Sequence, residues 1–85
     1  MQQVEYTVCD PRGLHVVPMG IICTFLSSFK SRAEVHSAAG RADGKKIDEF
    51  IKLAIRRGDK FSVNFSGPDE AQAAAELKKL LTSLC

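Results

Sequence analysis

The segment GLHVVP, residues 13–18, contains a histidine at the point where a turn gives way to a helix. Its glycine can adopt the unusual backbone angles that would orient the following side chains. Pro18 suits the first turn of a helix, where its missing N–H is no loss. The helix begins either at Pro18, with Val17 as its cap, or at Val16. In both cases His15 lies at the start of the helix.

Reversible attachment of a phosphoryl group is the chemistry that suits His15. The first four N–H groups of a helix have no intrahelical partner and the dipole is positive there, so a phosphate finds hydrogen-bond donors. The same field disfavours the protonated imidazole and biases His15 towards its neutral, nucleophilic form. Because Val16 and Val17 offer no side-chain donors, the main chain would supply most of the phosphate contacts.

An ordinary surface histidine is the competing interpretation of residue 15, since an isolated histidine in a turn is usually solvated. No second acid, base or metal ligand accompanies it in the sequence, so a hydrolytic enzyme is poorly supported. His36, the other histidine, falls at an outward position of a predicted strand and is expected to be a surface residue without chemistry.

The composition indicates one small domain with a nearly balanced charge. The 85 residues include 12 Lys and Arg against 10 Asp and Glu, a net charge of +2, which lacks the basic excess of most nucleic-acid binders. Cys9, Cys23 and Cys85 show no zinc-binding spacing, and the simplest interpretation is three reduced thiols. With no leader-like segment and no apolar run long enough for a bilayer, we expect a single cytoplasmic domain over residues 1–85.

Hydrophobic periodicity predicts strands interleaved with helices. Apolar and polar residues alternate over residues 4–10, 32–37 and 60–66, and the glycine-rich segment 38–46 has room for one more short strand. Apolar residues three or four apart predict helices over residues 18–29, over residues 47–56, and from the GPDE turn at residues 67–70 to the end of the chain. The expected buried stripe of the last helix is Ala73, Ala74, Leu77, Leu81 and Leu84. This order predicts an α+β fold with helices on one face of a sheet.

Several of these segments together resemble HPr, the histidine-containing phosphocarrier family of the bacterial phosphotransferase system. GLHVVP is similar to the GLHxRP active-site segment of the family. PMGIICTFLSSFKSRAEV, ADGKKI, RRGDKFSVNFSG and the final LKKLL follow at matching distances, so the resemblance covers essentially the whole chain. It implies an open-faced β-sandwich in which three helices cover one face of a four-stranded antiparallel sheet.

The resemblance also implies a function. In this family the histidine that matches His15 is phosphorylated at Nδ1 by enzyme I, which is charged from phosphoenolpyruvate, and the group then passes to an enzyme IIA domain. The expected protein is a monomeric carrier rather than a stand-alone enzyme. It needs no cofactor or metal, binds no nucleic acid and does not insert into a membrane.

Two departures from the family pattern affect this expectation. The usual arginine two residues after the histidine is Val17 here, and losing a phosphate-binding guanidinium predicts weaker transfer or a different partner. Arg12 could bring a positive charge back across the turn, although an ordinary solvated arginine is an equal alternative. Lys46 occupies the place of the regulatory serine of many Gram-positive members, so the serine-kinase switch is expected to be absent.

The resemblance further implies that partners dock around the histidine, on the first helix and the short second helix. The candidate docking residues are Val16, Val17, Gly20, Lys45, Lys46 and Ile47. Both lysines, with Arg12, would form a basic rim that steers acidic partners. In the alternative interpretation the lysines are a solvated turn and Ile47 is a core residue. Phe50 is expected in the core.

Three functions remain in competition. The leading hypothesis is a phosphocarrier that works through His15. The main alternative is a regulatory interaction protein of the same fold, in which Val17 marks the weakening or loss of phosphotransfer. A small nucleic-acid-binding domain is third, because the sequence lacks exposed aromatic pairs and a strong positive field.

Overall fold

The computed structural model describes residues 2–9 and 16–83, with only the backbone described for residues 16–18. The elements in chain order are β1 (Gln2–Thr7), α1 (Val16–Ser27), β2 (Arg32–Ser37), β3 (Gly40–Asp43), α2 (Ile47–Ile51), β4 (Lys60–Ser66) and α3 (Glu70–Ser83). This is the order that the periodicity predicts, with the additional short strand present as β3.

The four strands form one antiparallel sheet in the order β1-β4-β2-β3. The central strand β4 alternates as expected: Phe61, Val63 and Phe65 are buried, while the polar residues between them are not. Since successive side chains of a strand point to opposite faces, the apolar residues of β4 all face one side. That side carries the core.

Helices cover the apolar face of the sheet. In α3 the buried residues are Ala73, Ala74, Leu77 and Leu81, as the periodicity predicts, and Leu84 lies outside the described residues. In α1, Ile22 and Leu26 are fully buried against the same core, and Phe25 is partly buried beside it, as is Phe29 just after the helix. The structure confirms the open-faced sandwich. None of the helices in the described ranges is long and apolar enough to cross a membrane.

Phe50 anchors the short helix α2 in the core. Its side chain is fully buried, and its ring meets that of Phe61 edge to face with centroids 6.0 Å apart. Such aromatic pairs add to the free energy of burial itself. The prediction that Phe50 is a core residue is confirmed, and this burial fixes α2 against the sheet.

The bounds of α1 and α2 differ from the sequence prediction. α1 starts at Val16, which is the earlier of the two predicted starts, and ends at Ser27. α2 ends at Ile51, five residues before the predicted end at residue 56. The chain leaves the helix because Ala54 has a φ of +49°, in the left-handed region that a continuing helix does not use. The sequence places Arg56 and Arg57 in the last turn of this predicted helix, where cations suit the dipole, but in the structure both lie in a loop.

The cysteines differ in state. Cys9, just after β1, forms a disulfide, whereas Cys23 is a buried free thiol. The prediction of reduced thiols is therefore wrong for Cys9. Burial raises the pKa of the Cys23 thiol, and the charge of Asp43 raises it further, which suits an unreactive packing residue.

A hydrogen-bonded junction ties the segment after α1 to the start of α3. One oxygen of Asp69 accepts the Lys30 amide at 2.9 Å, and the other accepts the Ser31 amide at 2.9 Å together with the Ser31 hydroxyl. The Ser31 side chain is almost fully buried. Gly67 has a φ of +153°, and a Cβ there would lie 2.6 Å from Ser31 Cα, so a larger residue would separate the two segments.

Removing the charge at this junction with Asp69→Asn should lower the free energy of unfolding near neutral pH. The Ser31 hydroxyl and then the Lys30 amide lower the pKa of Asp69 below its ordinary value. A carboxylate with a depressed folded-state pKa stabilises the protein above its unfolded pKa, about 3.9, and loses that contribution as the pH falls through the folded value. Urea unfolding of both proteins across this range measures the effect.

We expect the wild type to approach the Asp69→Asn variant in stability as the solution is acidified. Asp48→Asn is the matched control, because this exposed carboxylate forms no such junction, and it should leave the pH dependence of the wild type in place. A constant difference between wild type and Asp69→Asn from neutral to acidic pH would contradict the assignment.

Candidate functional site

The helix α1 begins at Val16, the residue that follows His15 in the chain. His15 itself and Arg12 lie outside the described residues. The amides of Val16 and Val17 belong to the first turn, where N–H groups have no intrahelical partner, and Pro18 has no N–H to contribute. This turn therefore provides main-chain donors and a positive dipole end next to the histidine in sequence.

The first turns of α1 lie against α2. A Cβ built on Gly20 would be 3.9 Å from Ile47 Cδ1, an ordinary van der Waals distance. The small residue at position 20 leaves room for this approach. The structure thus brings together Gly20 and Ile47, two of the residues that the sequence predicts for docking.

Three exposed isoleucines lie on α1 and α2 at or near this contact, and we call them the isoleucine patch. Ile21 is 43% exposed, Ile47 37% and Ile51 43%, and these are the large exposed hydrophobic residues of the described ranges. Ile47 and Ile51 are four residues apart on α2 and share a face. Ile21 lies one turn after position 17 on α1. Ile47 is therefore neither a core residue nor isolated, and it belongs to a surface of two helices.

The two predicted docking lysines lie in different surroundings. Lys45 Nζ donates to the carbonyl of Phe29 at 2.8 Å, beyond the C-terminal end of α1, where a cation suits the dipole. That end is opposite the first turn. Lys46 precedes α2 without a side-chain cap, and its Nζ lies 3.8 Å from Oε2 of Glu49 with the side chain 62% exposed. Lys46 is next to the isoleucine patch in sequence, whereas Lys45 supports the far end of α1.

The loop that follows α2 runs beside the end of β1. Val8 donates its N–H to the carbonyl of Asp59 at 3.0 Å and accepts the N–H of Gly58 at 2.9 Å. Within the loop, Asp59 Oδ2 accepts the Arg56 amide at 2.9 Å, and the Asp59 amide donates to the Arg56 carbonyl at 3.0 Å. These bonds hold residues 56–59 in a tight turn next to the end of β1.

His36 belongs to β2 and faces away from the core. Its Nε2 lies 2.5 Å from Oε1 of Glu34, and the neighbouring Val35 is fully buried on the opposite face of the strand. The predicted outward position of His36 is confirmed. The described ranges contain no cluster of His, Cys, Asp or Glu that could hold a metal ion.

Sequence reasoning missed three residues that the structure brings into this region. Ile21 and Ile51 were not among the predicted docking residues, because each is next to a buried residue of its own helix and periodicity alone does not separate the two. Arg57 was expected in a helical turn and instead lies in the loop beside β1. Ile21 could have been predicted from the sequence, because it lies four residues after the docking candidate Val17 and so shares a helix face with it.

Comparison with known proteins gives consistent results. The family model described as the PTS HPr component phosphorylation site matches residues 2–83. The phosphocarrier protein HPr of Lysinibacillus sphaericus is 33% identical over 84 residues, which cover 99% of this chain and 96% of that protein. The phosphoryl donor subunit DhaM of a PEP-dependent dihydroxyacetone kinase from Providencia stuartii is 32% identical over 76 residues, 89% of this chain but 16% of DhaM.

The fold has a close counterpart among solved structures. The crystal structure of HPr-C-His from Thermoanaerobacter tengcongensis superimposes with a TM-score of 0.90 at 25% identity, covering 98% of this chain and 93% of that chain. Together with the family match over residues 2–83, this similarity confirms the resemblance drawn from the GLHVVP segment and its neighbours. The chain belongs to the HPr family of phosphotransferase-system phosphocarriers.

Proposed function

We propose that this protein accepts a phosphoryl group on Nδ1 of His15 from phosphorylated enzyme I and passes it to an enzyme IIA domain. The observation that carries the proposal is the start of α1 at Val16, directly after the histidine. Free amides at a helix N-terminus are a natural anion site. The DhaM relative, named as a phosphoryl donor subunit, is a second kind of protein in which a similar sequence occurs.

The transfer needs an imidazole that is unprotonated at Nδ1. Its lone pair forms a bond to phosphorus as the bond from phosphorus to the donor histidine of enzyme I breaks, and the donor nitrogen keeps that electron pair. The positive end of the α1 dipole favours the neutral imidazole before transfer and the dianionic phosphoryl group after it. The same turn therefore supports both states of the carrier.

Main-chain donors carry most of the phosphate contacts in this proposal. Val16 and Val17 contribute their amides, and their apolar side chains contribute no charge. Arg12 is a candidate cation from the segment before His15. A guanidinium at the position of Val17 would oppose the helix dipole while binding phosphate, so its replacement by valine leaves the dipole unopposed and the phosphate with fewer charged partners.

Partners dock, in this proposal, on the isoleucine patch together with Gly20 and the exposed Lys46. An apolar surface bordered by a cation is the usual pattern at the centre and rim of a transient protein interface. Ile47 supplies contact area, and Lys46 steers an acidic partner. Lys45, whose ammonium group bonds the Phe29 carbonyl, is assigned a structural role at the far end of α1.

We further propose that residues 1–85 act as one HPr-like domain, monomeric and without a cofactor, in the cytoplasm where enzyme I and enzyme IIA operate. Disulfides are uncommon in that compartment. A reduced Cys9 in the cell would therefore agree with the proposed location, and a persistent disulfide would contradict it. The regulatory alternative, binding without transfer, is distinguished from the carrier by whether the protein becomes phosphorylated at all.

Labelling with radioactive phosphoenolpyruvate and the cognate enzyme I tests the carrier function. We expect acid-labile, base-stable label on the wild type, because phosphohistidine has that stability. The label should pass to an added enzyme IIA domain. Replacing His15 with Ala should abolish the label.

His36→Ala is the matched control, since it removes the other histidine of the chain and should leave labelling unchanged. An unlabelled wild type with an enzyme I that labels a standard HPr would contradict phosphotransfer and leave binding as the function. Label that survives His15→Ala would place the chemistry on another residue.

The docking proposal predicts a selective effect of polar substitutions in the isoleucine patch. Ile51→Ser and Ile21→Ser should each raise the KM of enzyme I for the carrier about 5- to 20-fold with little change in kcat, because they remove contact area rather than the nucleophile. The thermal midpoint should hardly move, since both side chains are 43% exposed.

An exposed position on α3, Gln72→Ser, serves as the control, and it should leave KM unchanged. Equal KM values for Gln72→Ser and the two patch variants would show that enzyme I docks elsewhere. A change confined to kcat would also count against the patch as a binding surface.

A further inference from the structure

A phosphoryl group on His15 needs a cation that α1 does not supply. The group carries close to two negative charges at neutral pH, and arginine is the side chain best suited to bind it, through paired hydrogen bonds. The helix from Val16 to Ser27 contains no lysine or arginine at any position. The cation must come from another element that reaches the first turn.

The loop after α2 lies at the end of the sheet where β1 finishes, as the strand register shows. β1 finishes at Thr7, which is paired with Lys60 at the start of β4. Beyond it, Val8 is bonded through both of its backbone groups to Gly58 and Asp59, at 2.9 and 3.0 Å. The loop therefore lies against the end of β1.

The first turn of α1 lies towards the same end. The segment after α1 is fixed at the opposite end, because the Lys30 and Ser31 amides bond Asp69, just past the last residue of β4. A helix of 12 residues spans about 18 Å, close to the roughly 20 Å of the seven-residue β4. The helix thus returns along the sheet to the end at which β4 begins. The contact of Gly20 with Ile47 of α2, the helix that precedes the loop, agrees with this placement.

The two loop arginines have different neighbours along the chain. Arg56 lines a groove with residues 37–39 of the β2–β3 turn, and Arg57 is not among the residues of that groove. Arg57 precedes Gly58, whose amide bonds the Val8 carbonyl. Both arginines are exposed, and neither guanidinium group forms an ion pair or a hydrogen bond with another described residue.

We propose that Arg57 binds the phosphoryl group carried by His15, in place of the guanidinium that the family usually has at position 17. This inference rests on the proposed function. The backbone of the loop is held by the Asp59 hydrogen bonds and by a φ of +88° at Gly58, while the Arg57 side chain is left free. The fixed backbone holds the guanidinium near one position, and the unpaired side chain can bind the phosphoryl group and then release it to a partner.

The test compares Arg57→Ala with Arg56→Ala, a matched pair that removes the same charge from adjacent positions. All variants carry His36→Ala, so that label reports residue 15. In the enzyme I assay we expect Arg57→Ala to lower kcat/KM about 10- to 100-fold, Arg57→Lys to recover part of the loss, and Arg56→Ala to stay within about 2-fold. Thermal unfolding checks that each variant is folded.

A second measurement works without enzyme I. Phosphoramidate phosphorylates histidine chemically, and the ³¹P chemical shift and hydrolysis half-life of the product then report on contacts to the phosphoryl group. Arg57→Ala should change both, and Arg56→Ala neither. A residue that acts only in docking would leave these two quantities unchanged.

The outcomes separate this inference from the proposed function. If enzyme I labels every variant equally and the phosphoramidate product is indifferent to Arg57, the carrier function stands and the role of Arg57 is overturned. If Arg12→Ala causes the losses instead, the cation is Arg12 and the proposal is also overturned. If enzyme I labels no protein, the relay fails, and the phosphoramidate product still decides whether Arg57 contacts a group on His15.

Discussion

The position of α1 on the sheet is the constraint on which the proposed site depends. Its first turn has to lie at the end of the sheet where β1 finishes, with the amides of Val16 and Val17 uncovered. The helix is held at its other end by the Lys45 bond to the Phe29 carbonyl and by the Asp69 junction. Burial of Ile22 and Leu26 fixes its inner face. The core thus fixes the position of the first turn of α1, whose amides have no partner within the helix.

Around that turn, the apolar side chains and the positively charged side chains come from different elements in this account. In the proposed site, the exposed faces of α1 and α2 contribute isoleucines, and the cations come from Lys46 and the loop after α2. A cation in the first turn of a helix opposes the dipole, whereas a cation on a neighbouring loop does not. Placing the guanidinium of Arg57 on the loop would keep the helix favourable for an anion and still provide a charged partner for the phosphoryl group.

Much of this fold follows from local pattern. The alternation of Phe61, Val63 and Phe65 predicts β4, because one face of that strand is buried and the other is not. The apolar stripe of α3 predicts a helix for the equivalent reason. The order of elements predicts helices on one face of a sheet, and the resemblance around GLHVVP predicts four antiparallel strands. The strand order was not predicted, since strand pairing depends on contacts distant in sequence.

Other features could not be predicted because they depend on tertiary structure. α2 looks ten residues long in sequence, but the positive φ of Ala54 and the Asp59 turn end it at Ile51. The disulfide at Cys9 depends on which chain segments meet. Lys45 and Lys46 are adjacent in sequence, yet Lys45 bonds the Phe29 carbonyl after α1, whereas Lys46 precedes α2 and lies near Glu49.

Amide NMR of the phosphorylated protein tests the central claim most directly. The protein, phosphorylated on His15, is compared with the unmodified form through the backbone N–H signals of Val16 and Val17. The account predicts that these two amide protons move downfield and exchange more slowly with solvent, because they donate to phosphoryl oxygens. Unchanged Val16 and Val17 signals in a sample whose ³¹P spectrum shows phosphohistidine would contradict it.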